Sequence, residues 1–212
     1  MTAPNQSLTD LTATTTPALT DLLYTVVDPS GSPLDHKVTN QSQANLYRSD
    51  NPSFVATADA TVANTGSETS IIGTGSGSLT LAAAFFTVGK TIRVTAYGFI
   101  SNTGTPTLEI KVKLGSTIIA ATGAVTTASG LTTALLSVDL LLTCRTTGAS
   151  GTVIASGIVN IGAVSAGLYP VSGAAVTVDT TATQAVGLTA TWGAADPANT
   201  LSIVNVVVSK QN

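Results

Sequence analysis

Apolar and polar residues alternate strictly along residues 108–114, the clearest pattern in the chain. Leucine, isoleucine and valine take every second position, and Glu109, Lys111 and Lys113 take the positions between them. Because successive side chains of a β-strand point to opposite faces of its sheet, this spacing is typical of a strand with one buried and one solvated face. The segment therefore predicts a strand whose apolar side chains point into a core and whose charged side chains point out.

The same period of two recurs along most of the chain after residue 50. Further strands are predicted at residues 91–100, 117–121, 135–145, 153–161, 175–179, 185–192 and 201–209. In residues 201–209 both faces are largely apolar, which predicts a strand buried on two sides. Residues 73–78 contain only Gly, Ser and Thr and suit either a flexible linker or a loop. That loop would join a strand near Ile71 to another at residues 79–86.

These strands predict the fold class. Eight or so strands with connections too short for crossover helices favour an antiparallel sandwich, for which the jelly roll is the commonest eight-strand solution. The β-branched residues Thr and Val are abundant, while charged residues make up only 9% of the chain, against roughly 25% in a typical soluble domain. We expect an all-β protein whose residues 49–212 form an antiparallel, jelly-roll-like β-sandwich.

Residues 1–48 have a different composition and are expected to form an attachment arm with a short hairpin. One strand is predicted at residues 22–27 and a turn at residues 28–31. The returning strand of the hairpin is predicted at Lys37 and Val38. Thr39 is predicted to cap a short helical turn through residue 46, and residues 48–53 form the expected linker. Since an isolated hairpin is marginally stable in water, the arm must rest on its own domain, on sister copies or on a host structure. The candidate attachment residues are its apolar side chains: Leu11, Leu22, Leu23, Val26, Val27 and Val38.

Charge and hydropathy exclude several function classes. The mean hydropathy is +0.40. A transmembrane helix needs about 20 consecutive apolar residues, and every apolar stretch of this chain is much shorter. No signal peptide is visible at the N-terminus, so we expect a soluble chain made in the cytoplasm and no membrane partner. The net charge is −3, and no basic patch exists that would bind nucleic acid. A surface this poor in charge suits a protein that is covered by copies of itself or by a larger assembly.

The residues that commonly carry chemistry are few and scattered. His36 is the single histidine and Cys144 the single cysteine, so neither has the converging partners of a catalytic or metal site, and Cys144 is expected to point into the core. Residues 73–77 lack the Lys-Ser/Thr of a phosphate-binding loop. Trp192 and Tyr97 suit either a sugar-stacking platform or, more simply, core and interface positions. We expect no catalytic residue, no metal and no cofactor, and hence no enzyme.

Two stretches carry a resemblance to a known class of proteins. Residues 8–28, followed by a Gly/Pro turn and by His36, Lys37, Val38 and Thr39, resemble a leader found on many virion proteins of tailed phages. His36 and Lys37 stand where two basic residues are usual. Residues 89–98 and 104–115 are similar to phage jelly-roll modules, which are usually trimeric.

The resemblance implies a structural protein of a phage particle, assembled in the host cytoplasm. In this interpretation the chain is a capsid decoration (cement) or head-fibre protein that binds the major capsid protein through its arm and forms a trimer through its β domain. The alternative is a tail fibre, collar or receptor-binding knob that contacts host surface glycans. An enzyme that depolymerises host polysaccharide is a third hypothesis.

Overall fold

The computed structural model describes residues 22–27, 34–39, 54–162 and 168–212, with only the backbone described in the first two ranges and in residues 168–172. The chain divides into two compact units, Met1–Asn51 and Pro52–Asn212. The predicted helical turn after Thr39, the predicted linker and the predicted boundary at residue 48 lie outside the described residues. The division of the arm from the β domain at that boundary stays a prediction.

The first unit contains an antiparallel hairpin. Strand β1 spans Leu22–Val27 and strand β2 spans Leu34–Thr39. The two strands pair from Leu22 opposite Thr39 to Val27 opposite Leu34. The first strand is confirmed as predicted, and the second begins three residues before the predicted Lys37 because the pairing continues to the end of β1.

The second unit consists of fifteen further strands, several of them very short. They are β3 Phe54–Ala56, β4 Ala60–Ala63, β5 Thr69–Ser70, β6 Gly75–Gly77, β7 Thr80–Leu81, β8 Thr91–Ser101, β9 Thr107–Leu114, β10 Thr117–Ala121, β11 Val125–Thr126, β12 Ala134–Thr146, β13 Thr152–Ile161, β14 Leu168–Ser172, β15 Val176–Thr177, β16 Gln184–Trp192 and β17 Thr200–Lys210. The described residues contain no helix.

The strands of this unit form two sheets in which all pairings are antiparallel. Sheet one has the order β14-β13-β12-β8-β17-β3-β6, with β15 beside β13 and β4 beside β17. Sheet two has the order β10-β9-β16-β5, with β11 beside β9 and β7 beside β16. The chain passes between the sheets from β8 to β9, back to β12, and again before and after β16. The predicted all-β, jelly-roll-like sandwich is confirmed.

The core lies between the two sheets and follows the predicted alternation. All four apolar positions of residues 108–114 are buried, and Glu109, Lys111 and Lys113 lie on the other side of the strand and are half-buried. Strand β12 buries Leu136, Val138, Leu140, Leu142 and Cys144 on a single face. Burying a large aliphatic side chain stabilises a fold by about 1.5–3 kcal/mol, so these facing strands are the main source of its stability.

Two predictions need correction. Strand β17 was predicted to be buried on two sides, but Val204 is exposed and Val207 only half-buried, since no described element of this unit covers the outer side of sheet one. Residues 73–78 were predicted as a linker or a loop, but β6 lies within them and pairs with β3. Small side chains did not prevent strand pairing there, because the ladder is formed by backbone groups.

A β-bulge interrupts the pairing of β17 with β8. The register shifts between Ile203 and Asn205, so that β17 carries one extra residue opposite Gly98 and Tyr97. A Cβ atom at Gly98 would lie 2.1 Å from the carbonyl oxygen of Ser202. Only glycine therefore allows the two backbones to approach as closely as the bulge requires.

Candidate functional site

Large apolar side chains are exposed mainly on one side of the sandwich. Of the nine exposed large hydrophobic side chains in the described residues, seven belong to strands of sheet one. They are Val55 on β3, Tyr97 and Phe99 on β8, Leu135 and Leu141 on β12, Ile158 on β13 and Val204 on β17. We call the outer side of sheet one that carries these residues the apolar face. A contiguous exposed apolar surface on a compact domain is typical of an interaction site.

Strand register brings these side chains together from distant parts of the chain. Phe99 lies directly opposite Leu135, and Tyr97 lies opposite Ser137 on one neighbouring strand and Asn205 on the other. Val55 lies opposite Val207 at the β3 side of the sheet. Directly opposed side chains on one face are about 5 Å apart, so Phe99 lies beside Leu135 and Val55 beside Val207, while polar side chains separate these pairs from one another.

An ion pair lies within the apolar face. The Arg93 side chain donates two hydrogen bonds to the Asp139 carboxylate, Nε to Oδ1 at 2.8 Å and Nη2 to Oδ2 at 2.6 Å. This contact raises the pKa of Arg93 and lowers the pKa of Asp139, in both cases mainly through the side-chain hydrogen bond. Both groups therefore stay charged at neutral pH, and their charges cancel.

The other charged residues of the four central strands lie at one end of the face. Strands β8, β12, β13 and β17 contain Arg93, Asp139, Arg145 and Lys210 as their charged residues. Arg145 is next to the last residue of β12, and Lys210 ends β17 opposite Ile92 at the start of β8. The middle of the apolar face is thus electrically neutral.

A shallow depression opens beside the ion pair. It has a volume of about 450 Å³ and is lined by Arg93 and Asp139 together with Leu141, Ser156, Ile158 and Gln211. Gly157 also contributes to its surface, and a Cβ atom there would lie 2.1 Å from the Asp139 carbonyl oxygen. Glycine at this position allows β13 to lie close against β12. The depression therefore combines apolar walls with one guanidinium and one carboxylate.

The outer side of sheet two has a different character. Glu68 accepts hydrogen bonds from Lys113 Nζ at 2.7 Å, from Lys111 Nζ at 3.1 Å and from Thr189 Oγ1 at 3.2 Å. Lys111 Nζ also lies 3.2 Å from Glu109 Oε2. The hydrogen bonds from Lys113 and Lys111 lower the pKa of Glu68 to about 2. This side is therefore polar, and its charges are paired with one another.

The predicted attachment residues fall partly within the described hairpin. Leu22, Leu23, Val26 and Val27 belong to β1, Val38 belongs to β2, and Leu23 is paired with Val38. Leu11 lies outside the described residues. The attachment role of these residues stays a prediction.

The residues weighed for chemistry occupy varied positions. Cys144 is fully buried on the inner side of β12 as predicted, its Sγ lies 3.3 Å from the Thr146 carbonyl oxygen, and burial raises the pKa of its thiol. Trp192 is only 1% exposed and belongs to the core, so it offers no stacking platform, whereas Tyr97 is 49% exposed on the apolar face. His36 lies in β2 opposite Thr25. Within the described residues, no three His, Cys, Asp or Glu side chains are grouped closely enough to hold a metal ion.

No protein-family model and no curated protein matches this chain. In the part of the chain that the structure describes, no helix has the length and apolarity needed to cross a bilayer.

Sequence reasoning had found Tyr97 as a candidate interface aromatic but had missed the rest of the apolar face. Residues 201–209 gave a partial signal, because Val204 and Val207 place apolar side chains on the outer side of β17. The pairing of Arg93 with Asp139 had no local signal, since the two residues are 46 positions apart and meet only through the register of β8 and β12.

Proposed function

We propose that this chain is a non-enzymatic structural protein of a tailed-phage particle, either a capsid decoration (cement) protein or a head-fibre protein. Its arm, residues 1–48, binds the major capsid protein. Its β domain, residues 49–212, assembles copies of the chain into a homo-oligomer, a trimer by the resemblance of residues 89–98 and 104–115 to phage jelly-roll modules. The protein is located in the virion.

The observation that carries this proposal is the apolar face. A sheet surface whose charges cancel and which exposes two aromatic side chains is costly for a freely diffusing monomer, because it favours non-specific association. The same surface is suited to a protein that works in many copies on a particle. The phage-like stretch at residues 89–98 includes Tyr97, and it lies mostly in β8 at the centre of this face.

The hairpin supports the arm's part in the proposal. Strands β1 and β2 have six residues each, and a two-stranded hairpin of this size is marginally stable in water. Docking onto a larger protein surface would supply the missing burial. The leader-like stretch at residues 8–28 and the residues from His36 to Thr39 include most of this hairpin.

Particle binding by the full-length chain tests the assignment. Phage particles stripped of the protein are mixed with wild-type chain, with the double variant Leu23→Asp, Val38→Asp, or with Ile118→Asp as a control in sheet two, and are then sedimented. We expect wild type and the control to sediment with the particles and the arm variant to stay in solution. Equal binding of all three would overturn the role given to the arm.

A tail protein that contacts host glycans is the second candidate. It is favoured by the exposed ring of Tyr97 on the same face as the Arg93–Asp139 pair, because an aromatic ring beside fixed charged donors and acceptors suits sugar recognition. Immunogold labelling of intact particles separates the two candidates: head labelling supports decoration, and tail labelling supports the second. A glycan array probed with the full-length chain should show binding only in the second case.

A further inference from the structure

We propose that the apolar face is the contact between copies of this chain, with Tyr97 and Phe99 of one copy seated against Leu141, Ile158 and the depression of the next. This inference deepens the assembly half of the proposed function and rests on it. It names the surface, the occupant and the side chains that make the contact.

The size of the face fits a stable contact between proteins. Four long strands, β13, β12, β8 and β17, lie side by side in sheet one, and at about 4.8 Å each they span about 20 Å. Strand β8 has eleven residues and is about 35 Å long at about 3.3 Å per residue. The resulting area of about 700 Å², before side-chain relief and the shorter strands are added, approaches the about 800 Å² per partner of a standard interface.

The charge of the face selects a neutral partner. Arg93 and Asp139 neutralise each other through two hydrogen bonds, so the middle of the face offers no excess charge to an acidic or a basic protein. A second copy presents the same neutral surface. Complementary potentials favour specific association, and two faces without excess charge in their middle meet this condition.

The apolar face carries both a projection and a depression, so two copies of it can fit together. Tyr97 and Phe99 project from β8, while the depression lies towards β12 and β13 and is lined by the ion pair, Leu141 and Ile158. An aromatic ring placed in this depression meets apolar walls and the guanidinium of Arg93, which attracts the face of a π-system. Because the projection and the depression belong to one chain, the same contact can repeat from copy to copy, and it forms a ring where the rotation between copies closes.

The outer side of sheet two is less suited to be the contact between copies. Covering it would remove water from Glu68, Glu109, Lys111 and Lys113, whose pairs are now partly solvated. Desolvating paired charges costs free energy that their mutual attraction often fails to offset. Covering the apolar face desolvates one ion pair, Arg93–Asp139, and it also removes water from the exposed apolar side chains, which stabilises the contact.

Sedimentation analysis of the full-length chain tests the proposal with a matched pair of variants. Phe99 and Ile118 are each 43% exposed in a strand, the first on the apolar face and the second in sheet two. We expect wild type and Ile118→Asp to sediment as the same oligomer. We expect Phe99→Asp and Leu141→Asp to weaken association about 30-fold or more, the size of a hot-spot loss. A monomeric wild type, or an oligomer that Ile118→Asp dissociates and Phe99→Asp does not, would overturn the proposal.

A labelling measurement keeps the test independent of how well the aspartate variants fold. Phe99→Cys and Ile118→Cys are treated with a maleimide reagent in the native state, where Cys144 is buried. We expect the cysteine at position 118 to react fast and the cysteine at position 99 to react slowly until dilution dissociates the oligomer. Equal rates for the two positions in the oligomer would contradict the contact.

The failures of this proposal and of the proposed function are distinguishable. A monomeric chain that still binds phage particles through its arm would refute the contact and leave the decoration function standing. A chain that oligomerises through Phe99 but binds no particle would support the contact and refute the decoration function.

Discussion

At the scale of single residues, two polar side chains hold loops onto the sandwich, the exposed Glu68 and the buried Asn102. Glu68 precedes β5 and joins it to β9 through Lys111 and Lys113. Asn102 follows β8, is 4% exposed, and bonds to the segment between β11 and β12. Neither role is visible in the sequence, because each depends on partners about 25–45 positions away that only the fold brings near.

The Glu68 contacts predict a pH-dependent contribution to stability. The pKa of Glu68 is lowered from 4.5 to about 2, so its contribution is fully present above about pH 4.5 and is lost as the pH falls towards 2. Glu68→Gln should lower the free energy of unfolding at pH 7 by at most about 1 kcal/mol, because the pairs are partly exposed. Urea unfolding of wild type and variant between pH 7 and pH 2 checks this. The two curves should converge at low pH, and parallel curves would contradict the assignment.

Asn102 should be among the most sensitive polar positions. Its Nδ2 donates to Thr127 Oγ1 at 2.6 Å and to the Ala128 carbonyl at 3.0 Å, and its Oδ1 accepts from the Leu131 amide at 2.9 Å. Asn102→Ala leaves these groups without their partner and should cost about 2–3 kcal/mol of stability. The exposed Asn205→Ala is the control and should change stability by less than about 0.5 kcal/mol. Similar losses for both variants in denaturant unfolding would disprove the structural role of Asn102.

At the scale of strands, alternation was a sound guide where a strand is long and half-solvated. Residues 108–114 show which side faces the core because polar residues occupy every outward position, and residues 135–145 do so because every inward position is apolar. The strands of two to four residues, such as β5 and β7, are too short for any period to be visible. Alternation also gave the wrong burial for β17, because the bulge between Ile203 and Asn205 shifts the period of two along the strand.

The bulge in β17 yields a prediction about β8. Gly98→Ala places a Cβ atom against the Ser202 backbone and should destabilise the protein by about 3 kcal/mol, because backbone must move to admit it. Gly104→Ala is the control: Gly104 has a positive φ of 66°, but nothing lies within 4 Å of the added Cβ. The control should cost only about 1 kcal/mol. Thermal unfolding of both variants distinguishes the clash from a general effect of replacing glycine.

At the scale of the whole molecule, the two outer sides of the sandwich differ in chemistry. On the outer side of sheet two, Glu68 forms ion pairs with Lys111 and Lys113. The apolar side chains of sheet one stay exposed within the described residues of this unit. The low content of charged residues predicted a covered surface. Only the strand register shows that the exposed large apolar side chains lie mainly on the outer side of sheet one.

The central claim, that copies of the chain cover the apolar face, is tested most directly by hydroxyl-radical footprinting of the full-length protein. Oxidation of Tyr97, Phe99 and Ile118 is measured by mass spectrometry across a dilution series. The account predicts that Tyr97 and Phe99 are protected at high concentration and become reactive on dilution, while Ile118 reacts equally throughout. Reactivity of Tyr97 and Phe99 that is high and independent of concentration would contradict it.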